Sequence, residues 1–382
     1  MSFHPSMVLR AHLPQSSRVT CVLPGLVWPG NGITATLREL ELPGLAAILG
    51  HGRVRQQSGL PYASWLAQQF GAENLPWGAL RWEGESERAA DGREQPFAPK
   101  DAPYPNILCA DPVSLAFTSS SLVLRGPREL DLRPTEVEAL IAALNEEFAH
   151  IGEFHAANAQ RWYLHLRQPV ATHFHPLADV LGRPAALFQP EGEGARDWNR
   201  LANAIQVLLY NHPLNRLRGE RGQLTANALW FWGAAPAGCT EFSPLKRPAN
   251  TLIGDEPTLR GLAAVSGAHW FASDAADSPA SGQAGHRWWH DTRLQDAALA
   301  GDFMGWLTAL QELDDELLQP LWEAWQAGRL QELNLCAPSD RMFLSSSLKT
   351  RSRWAFWRGT LANDRLAPLL QAAPQPSPDA PE

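Results

Sequence analysis

Hydrophobic positions recur with two periods along this chain, and the period of each stretch predicts its secondary structure. Thr135 and Glu138 have the spacing of a capping box and stand ahead of an apolar run with helical spacing. The run consists of Val137, Leu140, Ile141, Leu144 and Phe148. We therefore expect an amphipathic helix that begins near Thr135.

Other helices are predicted from proline positions and from apolar spacing. Pro43 to Leu49 and Pro61 to Phe70 each open with proline, which the first helical turn accommodates well. A long amphipathic run extends from Asp302 to Gln326, with its apolar residues at helical spacing. Pro320 falls inside this run, and we expect it to kink or divide the helix.

Strands are predicted where short apolar or β-branched runs lie between turn-forming residues. The candidates are Arg18 to Leu23, two short strands within Ser114 to Arg125, Arg161 to Leu166, Ala228 to Trp232 and Glu332 to Ala337. Strands that alternate with helices favour an α/β fold. We predict a mixed, mainly parallel sheet flanked by helices.

The length of 382 residues exceeds what one hydrophobic core usually organises. We predict an N-terminal β-loop-α part of the core over residues 1–82, followed by a polar flexible loop or linker over 83–105. The main α/β region is predicted over 106–366, and a Pro-rich disordered tail over 367–382.

The amino-acid composition limits the kinds of molecule that we expect this protein to bind. A formal net charge of -8 argues against general nucleic-acid binding, which needs a basic face. No apolar run approaches the roughly 20 residues of a membrane span, and Met1 to Arg18 lacks the apolar segment of a secretory signal. We expect a cytoplasmic protein without nucleic-acid or membrane partners. The 4 cysteines are far apart and are predicted to be buried free thiols.

Amides, guanidiniums and an imidazole crowd into the stretch from Asn203 to Gly233, which links an apolar helical run to a predicted strand. Guanidiniums bind phosphate through paired hydrogen bonds, and asparagine side chains can orient ligand hydroxyls. Solvated arginines are also common after a helix, so this alternative stays open. The candidate ligand-binding residues are His212, Asn215, Arg218, Arg221, Asn227 and Trp232.

The sequence offers little support for catalysis. His286 and His290 have the spacing of two helical zinc ligands, but Arg287 stands where such a motif needs a glutamate base. Neither a GxSxG nucleophile motif nor a GxxxxGK[ST] phosphate loop occurs. We assign no catalytic residue and no metal ligand, and we expect no cofactor.

Four segments together resemble a known family: ADPVSL from Ala110, RWYL from Arg161, NAIQVLLYNHPLNRLR from Asn203 and NALWFWG from Asn227. In this order they are similar to the bacterial RpfE-type regulatory proteins. That group resembles the archaeal-type cofactor-independent phosphoglycerate mutases of the alkaline-phosphatase-like superfamily. The resemblance covers roughly Pro105 to Gly267 and implies a mutase-like fold.

The chain departs from the catalytic relatives where they bind metal. Pro24-Gly25 stands where they carry a metal-binding Asp-Gly, and the DAALAGD segment from Asp296 lacks their histidine. No Asp-His pair occurs anywhere in the sequence. Since two-metal phosphoryl transfer needs several such ligands, the resemblance implies a catalytically degenerate protein. Our hypothesis is a regulatory protein that binds a phosphorylated small molecule, with its protein partner not identified.

Two alternatives belong to other classes. The chain can instead be an active metal-dependent phosphoglycerate mutase or phosphatase with an altered metal site. Its ligands would come from Asp111, Asp296, Asp302 and Asp340, with His286 or His290. The second alternative is a protein-interaction scaffold that uses the Trp-rich late helix, although burial of that helix face in the core is the commoner arrangement.

Overall fold

The computed structural model describes residues 17–88, 94–96, 106–117, 122–236, 245–275, 285–350 and 359–372. Two compact units make up the chain. The first consists of Met1–Phe70, Lys246–Asp255 and Ser266–Glu382, and the second of Gly71–Leu245 and Glu256–Val265. The second unit thus interrupts the first, and the boundaries between the units differ from the predicted divisions at residues 82, 105 and 366. Hydrophobic periodicity does not reveal such an insertion, because both units contain strands and helices.

The strands of the described residues, in chain order, are β1 Ser17–Val22, β2 Arg55–Ser58, β3 Ser86–Arg88, β4 Glu94–Pro96, β5 Ile107–Phe117, β6 Leu122–Arg125, β7 Gly152–Ala156, β8 Trp162–Leu166, β9 Ala228–Trp232, β10 Thr251–Ile253, β11 His269–Phe271, β12 His286–His290, β13 Leu330–Ala337 and β14 Met342–Lys349.

The α-helices are α1 Thr34–Leu37, α2 Pro43–His51, α3 Tyr62–Gln69, α4 Trp77–Gly84, α5 Pro127–Leu130, α6 Pro134–Phe148, α7 Leu177–Val180, α8 Ala195–Asn211, α9 Pro213–Glu220, α10 Pro257–Ser266, α11 Arg293–Ala300, α12 Phe303–Leu313, α13 Gln319–Gln326 and α14 Asn363–Leu370. A π-helical turn, Asp314–Leu318, joins α12 to α13.

The sheet of the first unit has the strand order β11-β10-β12-β1-β13-β14-β2. Neighbouring strands from β11 to β13 run parallel. Strand β14 is antiparallel to both β13 and β2. This arrangement confirms the predicted mixed, mainly parallel sheet flanked by helices.

The two faces of this sheet differ in polarity because side chains alternate along each strand. Val19 and Cys21 of β1 lie in the hydrophobic core, together with Leu333 and Leu335 of β13. Buried residues of α2, α12, α13 and α14 complete the same core. Thr20 alternates with these β1 residues and faces the opposite side of the sheet. That side carries the polar residues described below.

The long late helix is divided, as predicted. A π-helical turn at Asp314–Leu318 separates α12 from α13, and Pro320 lies in the first turn of α13. Pro320 has no backbone N–H to donate, so the start of a helix accommodates it. The Asp314 carboxylate accepts hydrogen bonds from the backbone N–H groups of Gly44 at 2.9 Å and Leu45 at 2.6 Å. The π-helical turn therefore caps the start of α2.

The second unit has an antiparallel sheet, which the sequence analysis did not predict. Its order is β6-β5-β8-β7, and β9 also pairs with β5. The long strand β5 makes these pairings possible, because its two halves face different partners. Helices α6 and α8 contribute Leu144 and Ile205 to the core beneath this sheet.

Two boundary predictions are corrected. Helix α6 begins at Pro134, and Glu136 accepts a hydrogen bond from the Arg133 N–H at 2.8 Å, so the predicted cap at Thr135 is wrong. The predicted tail over 367–382 begins too early, because α14 extends to Leu370 and buries Ala367. Residues 373–382 lie outside the described residues.

The remaining predictions are only partly covered by the structure. In the predicted linker, β3 and β4 form an antiparallel pair, and residues 89–93 and 97–105 lie outside the described residues. Cys21 and Cys109 are buried free thiols, as predicted. Cys336 is a free thiol that is only partly buried, and Cys239 lies outside the described part. None of the described helices has the length and apolar character that crossing a bilayer requires.

Candidate functional site

The predicted ligand-binding stretch lies in the second unit, where Arg218 is used within the fold. Its side chain is 2% exposed, and Nη1 donates to Glu136 Oε2 at 2.7 Å. Nε donates to the Leu224 carbonyl at 2.8 Å, and Nη2 donates to the Leu130 carbonyl. All three nitrogens therefore have intramolecular acceptors. Arg218 holds α9 against the start of α6.

The two candidate asparagines of the stretch replace missing backbone hydrogen bonds. Asn215 donates from Nδ2 to the carbonyls of Leu209 and Ala226, and its Oδ1 accepts from the Ala226 N–H at 3.0 Å. Asn227 accepts from the Leu115 N–H at 2.8 Å and donates to the Leu115 carbonyl at 3.1 Å. These amides join irregular backbone to the sheet, which is a structural role.

The other three candidates are spread over the unit. His212 caps α9, where Nδ1 accepts from the Leu214 N–H at 3.3 Å, and burial lowers the pKa of this imidazole. Arg221 is exposed after the end of α9. Trp232 donates from Nε1 to Asp111 Oδ2 at 2.8 Å. The six candidates line neither the large cleft of the first unit nor the smaller cavity beside β9.

Asp111, from the alternative metal set, is also committed to a structural role. It is 1% exposed and accepts two hydrogen bonds from Arg81, at 2.8 and 2.7 Å. The Trp162 N–H also donates to Asp111, at 3.2 Å. A buried carboxylate that is neutralised by a paired guanidinium is a poor metal ligand, because the cation already occupies its oxygens.

The histidine pair of the alternative set is not helical. His286 and His290 are the first and last residues of strand β12. At about 3.3 Å per residue, a strand separates them by roughly 13 Å, whereas a helix would place them one turn apart. The spacing that suggests a zinc motif therefore has no such meaning here.

The carboxyl end of β1, where the resemblance implies a metal ligand, is closely packed. Gly25 has φ of +83°, and a Cβ there would lie 2.6 Å from the Cα of Gln295. Nearby, Asp291 is paired with Arg293 at 2.9 Å, and Arg293 also contacts Glu316 at 2.6 Å. In the described part of the chain, no group of three or more His, Cys, Asp or Glu residues is placed to hold a metal. The described residues do not provide the ligand set of a two-metal centre.

A large cleft lies on the polar face of the first unit's sheet. Its volume is about 1290 Å³. The pairing registers place Thr20 beside Asn334, and Asn334 beside Ser347. Ser345 stands opposite Arg55 of the edge strand. Hydroxyl and amide groups thus form a polar floor that crosses the central strands.

The cleft is strongly electropositive. Five cationic side chains line it, namely Arg53, Arg55, Lys246, Arg247 and Lys349, and no aspartate or glutamate is among its lining residues. Arg247 donates a hydrogen bond to the Gly267 carbonyl, a neutral acceptor, at 3.2 Å. No ion pair with another described residue involves Arg53, Arg55 or Lys246. Positive charge in a concave site attracts anions.

Polar residues of the floor are connected to each other. Thr20 Oγ1 and His286 Nε2 lie 2.9 Å apart, and Asn334 Nδ2 donates to Thr20 Oγ1 at 3.5 Å. Burial, with a smaller contribution from Arg18, lowers the pKa of His286. The imidazole is therefore neutral at pH 7 and can donate or accept a hydrogen bond. The floor supplies neutral hydrogen-bonding groups between the cationic residues, and Asn334 Nδ2 also lies 3.3 Å from the Glu332 carboxylate.

Helix α3 forms an aromatic wall of the cleft. Trp65 stacks on Trp288 with ring centroids 6.0 Å apart and lies 5.9 Å from Phe343. Gln68 and Gln69, on the same helix, also line the cleft. The wall covers part of the sheet face and leaves the polar floor accessible beside it.

The cleft is not evident from the sequence, because each lining segment contributes only a few polar residues. Arg53 and Arg55 belong to one segment, Lys246 and Arg247 to another, and Lys349 to a third. One signal was available. The alternation in β14 places Ser345 and Ser347 on the face opposite the buried Leu344 and Leu348, which indicates a sheet with one polar face.

Comparisons with known proteins point to one enzyme group. A probable 2,3-bisphosphoglycerate-independent phosphoglycerate mutase of Geobacter sulfurreducens is 40% identical over 93 residues, or 24% of this chain and 23% of that protein. A 2,3-bisphosphoglycerate-independent phosphoglycerate mutase of Methanothrix thermoacetophila is 25% identical over 175 residues, or 40% of this chain and 44% of that protein. The chain thus spans less than half the length of these relatives. No model of a known protein family matches.

Two solved structures align with most of this chain. The cofactor-independent phosphoglycerate mutase of Thermoplasma acidophilum aligns with 93% of this chain and 100% of its own, at 14% identity and a TM-score of 0.39. The PH0037 protein of Pyrococcus horikoshii aligns over 88% of both chains, at 14% identity and a TM-score of 0.48. The relationship to phosphoglycerate mutases therefore rests on the sequence matches.

Proposed function

We propose that this protein is a catalytically degenerate relative of the phosphoglycerate mutases that binds a phosphorylated small molecule in the polar cleft of its first unit. The function is regulatory, and the protein acts in the bacterial cytoplasm, as the resemblance to RpfE-type proteins implies. The site differs from the one expected from the sequence. The ligand class stays the same.

The charge of the cleft carries this proposal. Five cationic side chains and no carboxylate line it, in a chain whose formal net charge is -8. The rest of this acidic protein's surface repels anions. Positive charge concentrated in one concave site therefore directs anions to that site. Arg53 and Arg55 can each give phosphate a paired hydrogen bond, and Lys246 can add a point charge.

The proposed loss of metal chemistry follows from the donor groups. Asp291 is neutralised by Arg293, and the turn at Gly25 packs against Gln295, where the resemblance implies a metal-binding carboxylate. A protein that binds a ligand without transforming it can act through conformation. A ligand with different affinities for two conformations shifts their populations, and a partner protein can detect that shift.

Thermal unfolding and calorimetry test the proposed binding. A ligand at about 100 times its Kd adds about 2.7 kcal/mol to the free energy of unfolding, which raises Tm. We expect phosphate compounds to raise Tm at constant ionic strength, and Arg55→Gln to weaken that effect. Arg365→Gln removes the same charge from an exposed position outside the cleft and should retain it. Failure of phosphate, phosphoglycerate and polyphosphate alike to raise Tm would overturn the proposal.

The alternative function is an active metal-dependent mutase or phosphatase. The 40% identity to the Geobacter sulfurreducens protein over 93 residues favours it. Elemental analysis of the purified protein and assays of phosphoglycerate turnover with added Mn²⁺ distinguish the two functions. We expect neither bound metal nor turnover. Turnover that requires Mn²⁺ and is lost in Asp302→Asn would support the enzyme instead.

A further inference from the structure

We infer that the ligand of the polar cleft is a linear molecule with phosphate groups at both ends and a hydrogen-bonding middle. This inference rests on the proposed binding function and defines the class of ligand more closely. Three observations support it: the cations form two separate groups, neutral polar residues lie between them, and the cleft is large.

The first cationic group lies at the edge of the sheet. Arg55 stands opposite Ser345 in the pairing of β2 with β14. Arg53 exchanges backbone hydrogen bonds with Ser347 of β14, at 2.9 and 3.3 Å, so it extends the same edge. Lys349 is the last residue of β14. We call Arg53, Arg55 and Lys349 the edge group.

The second cationic group lies on the other side of the cleft. Lys246 and Arg247 precede β10, and the Asn250 N–H donates to the His286 carbonyl of β12 at 2.9 Å. The segment that carries both cations is thereby held beside β12. We call Lys246 and Arg247 the loop group.

In the sheet, β2 is the fourth strand from β12, and β1, β13 and β14 lie between them. With strands roughly 4.8 Å apart, the backbones of the two sides lie about 19 Å from each other. Side chains on a strand extend roughly perpendicular to the sheet. The Arg55 side chain therefore shortens the distance between the two cationic groups only slightly. A small molecule with one phosphate can neutralise only one group.

The space between the two groups suits a polar connecting segment. Thr20, Asn334, Ser345 and Ser347 present hydroxyl and amide groups there, and His286 adds a neutral imidazole. The volume of about 1290 Å³ exceeds the range of about 300–1000 Å³ that is usual for small-molecule sites. Both features fit an extended ligand that lies across the strands.

Two kinds of molecule share this chemistry: a linear chain of phosphates, and a sugar or oligosaccharide with a phosphate at each end. Isothermal titration calorimetry with the full chain separates them. The probes are inorganic phosphate, pyrophosphate, tripolyphosphate, a longer linear polyphosphate and an oligosaccharide with a phosphate at each end, all at one ionic strength. Whichever long probe binds more tightly identifies the connecting segment.

Variants of the two groups test whether one molecule contacts both. Arg55→Gln and Lys246→Gln should each weaken binding of the tightest long probe by about tenfold, the effect of one charge-assisted hydrogen bond. Each should leave inorganic phosphate able to bind at the group that remains. Arg365→Gln is the matched control, and circular dichroism verifies that every variant is folded.

The outcomes distinguish this inference from the function on which it rests. Affinity that rises with probe length and depends on both groups supports the two-ended ligand. Equal affinity for phosphate and for every longer probe, or loss of affinity in only one of the two variants, overturns it and leaves phosphate binding intact. Absence of binding to all probes overturns the proposed function as well.

Discussion

Arg218 Nη1 lies 2.7 Å from Glu136 Oε2, and this ion pair joins α9 to the first turn of α6. Glu136 also accepts the Arg133 N–H at 2.8 Å, so one carboxylate both caps a helix and neutralises a buried guanidinium. Both contacts favour the ionised carboxylate, and the pKa of Glu136 lies below its ordinary value although burial opposes the shift. Arg218, one of the two arginines predicted to bind phosphate, thus stabilises the second unit.

Arg218→Ala should therefore destabilise the protein without removing the anion site. The substitution leaves Glu136 without its partner and two carbonyls without a donor, which costs about 3 kcal/mol. Urea unfolding measures this loss. Arg216→Ala, at an exposed position of the same helix, should change the free energy of unfolding by less than about 0.5 kcal/mol. If Arg218→Ala leaves stability unchanged but abolishes binding of phosphate compounds, the ligand site lies in the Asn203 to Gly233 stretch instead.

Asn227→Ala provides a second test of whether the candidate residues of this stretch stabilise the fold and do not bind the ligand. The substitution removes both hydrogen bonds to Leu115, and we expect a loss of about 1–3 kcal/mol in the free energy of unfolding. Phosphate binding should be unaffected at temperatures where the variant is folded. Calorimetry at two temperatures, below and near the variant's Tm, separates lost stability from lost affinity.

Local regularities were predictable from the sequence because they depend on neighbours along the chain. The β-branched and apolar run from Arg18 to Leu23 predicted β1, and Pro320 marked the division of the late helix. The candidate site was not predictable in the same way. Asn215 and Arg218 are polar residues whose partners are backbone groups brought close only by the fold. The polar residues that cluster in the sequence therefore form hydrogen bonds within the fold. The cations of the cleft, in contrast, come from segments that are far apart in the sequence.

Gly25 should be among the least replaceable glycines of the first unit. At φ of +83° an alanine is strained, and its Cβ would lie 2.6 Å from backbone atoms of Gln295, which cannot move aside easily. Gly32 is the matched control, because its φ is +85° and no atom lies within 4 Å of the place that an alanine Cβ would take. We expect Gly25→Ala to cost about 2 kcal/mol more than Gly32→Ala in chemical unfolding. Equal costs would show that the turn at Gly25 is not closely packed.

The contribution of Asp314 to the free energy of unfolding should decrease as pH rises from about 4 to about 6. Burial raises the pKa of this carboxyl from 3.8 to about 6, although two backbone N–H groups favour its charged form. In this pH range the folded state holds a proton that the unfolded state has lost. Asp314 therefore stabilises the fold fully below pH 4, and this contribution is lost as pH rises through about 6.

Asp314→Asn isolates the contribution of this group. A difference of about two pKa units corresponds to at most about 3 kcal/mol, so the free energy of unfolding of the wild type should fall by up to that amount relative to the variant. Urea unfolding at several pH values between 4 and 7 measures the difference. Asp302→Asn, which alters an exposed helix-capping carboxylate, should retain the wild-type slope. A parallel pH dependence in the wild type and in Asp314→Asn would exclude Asp314 as the titrating group.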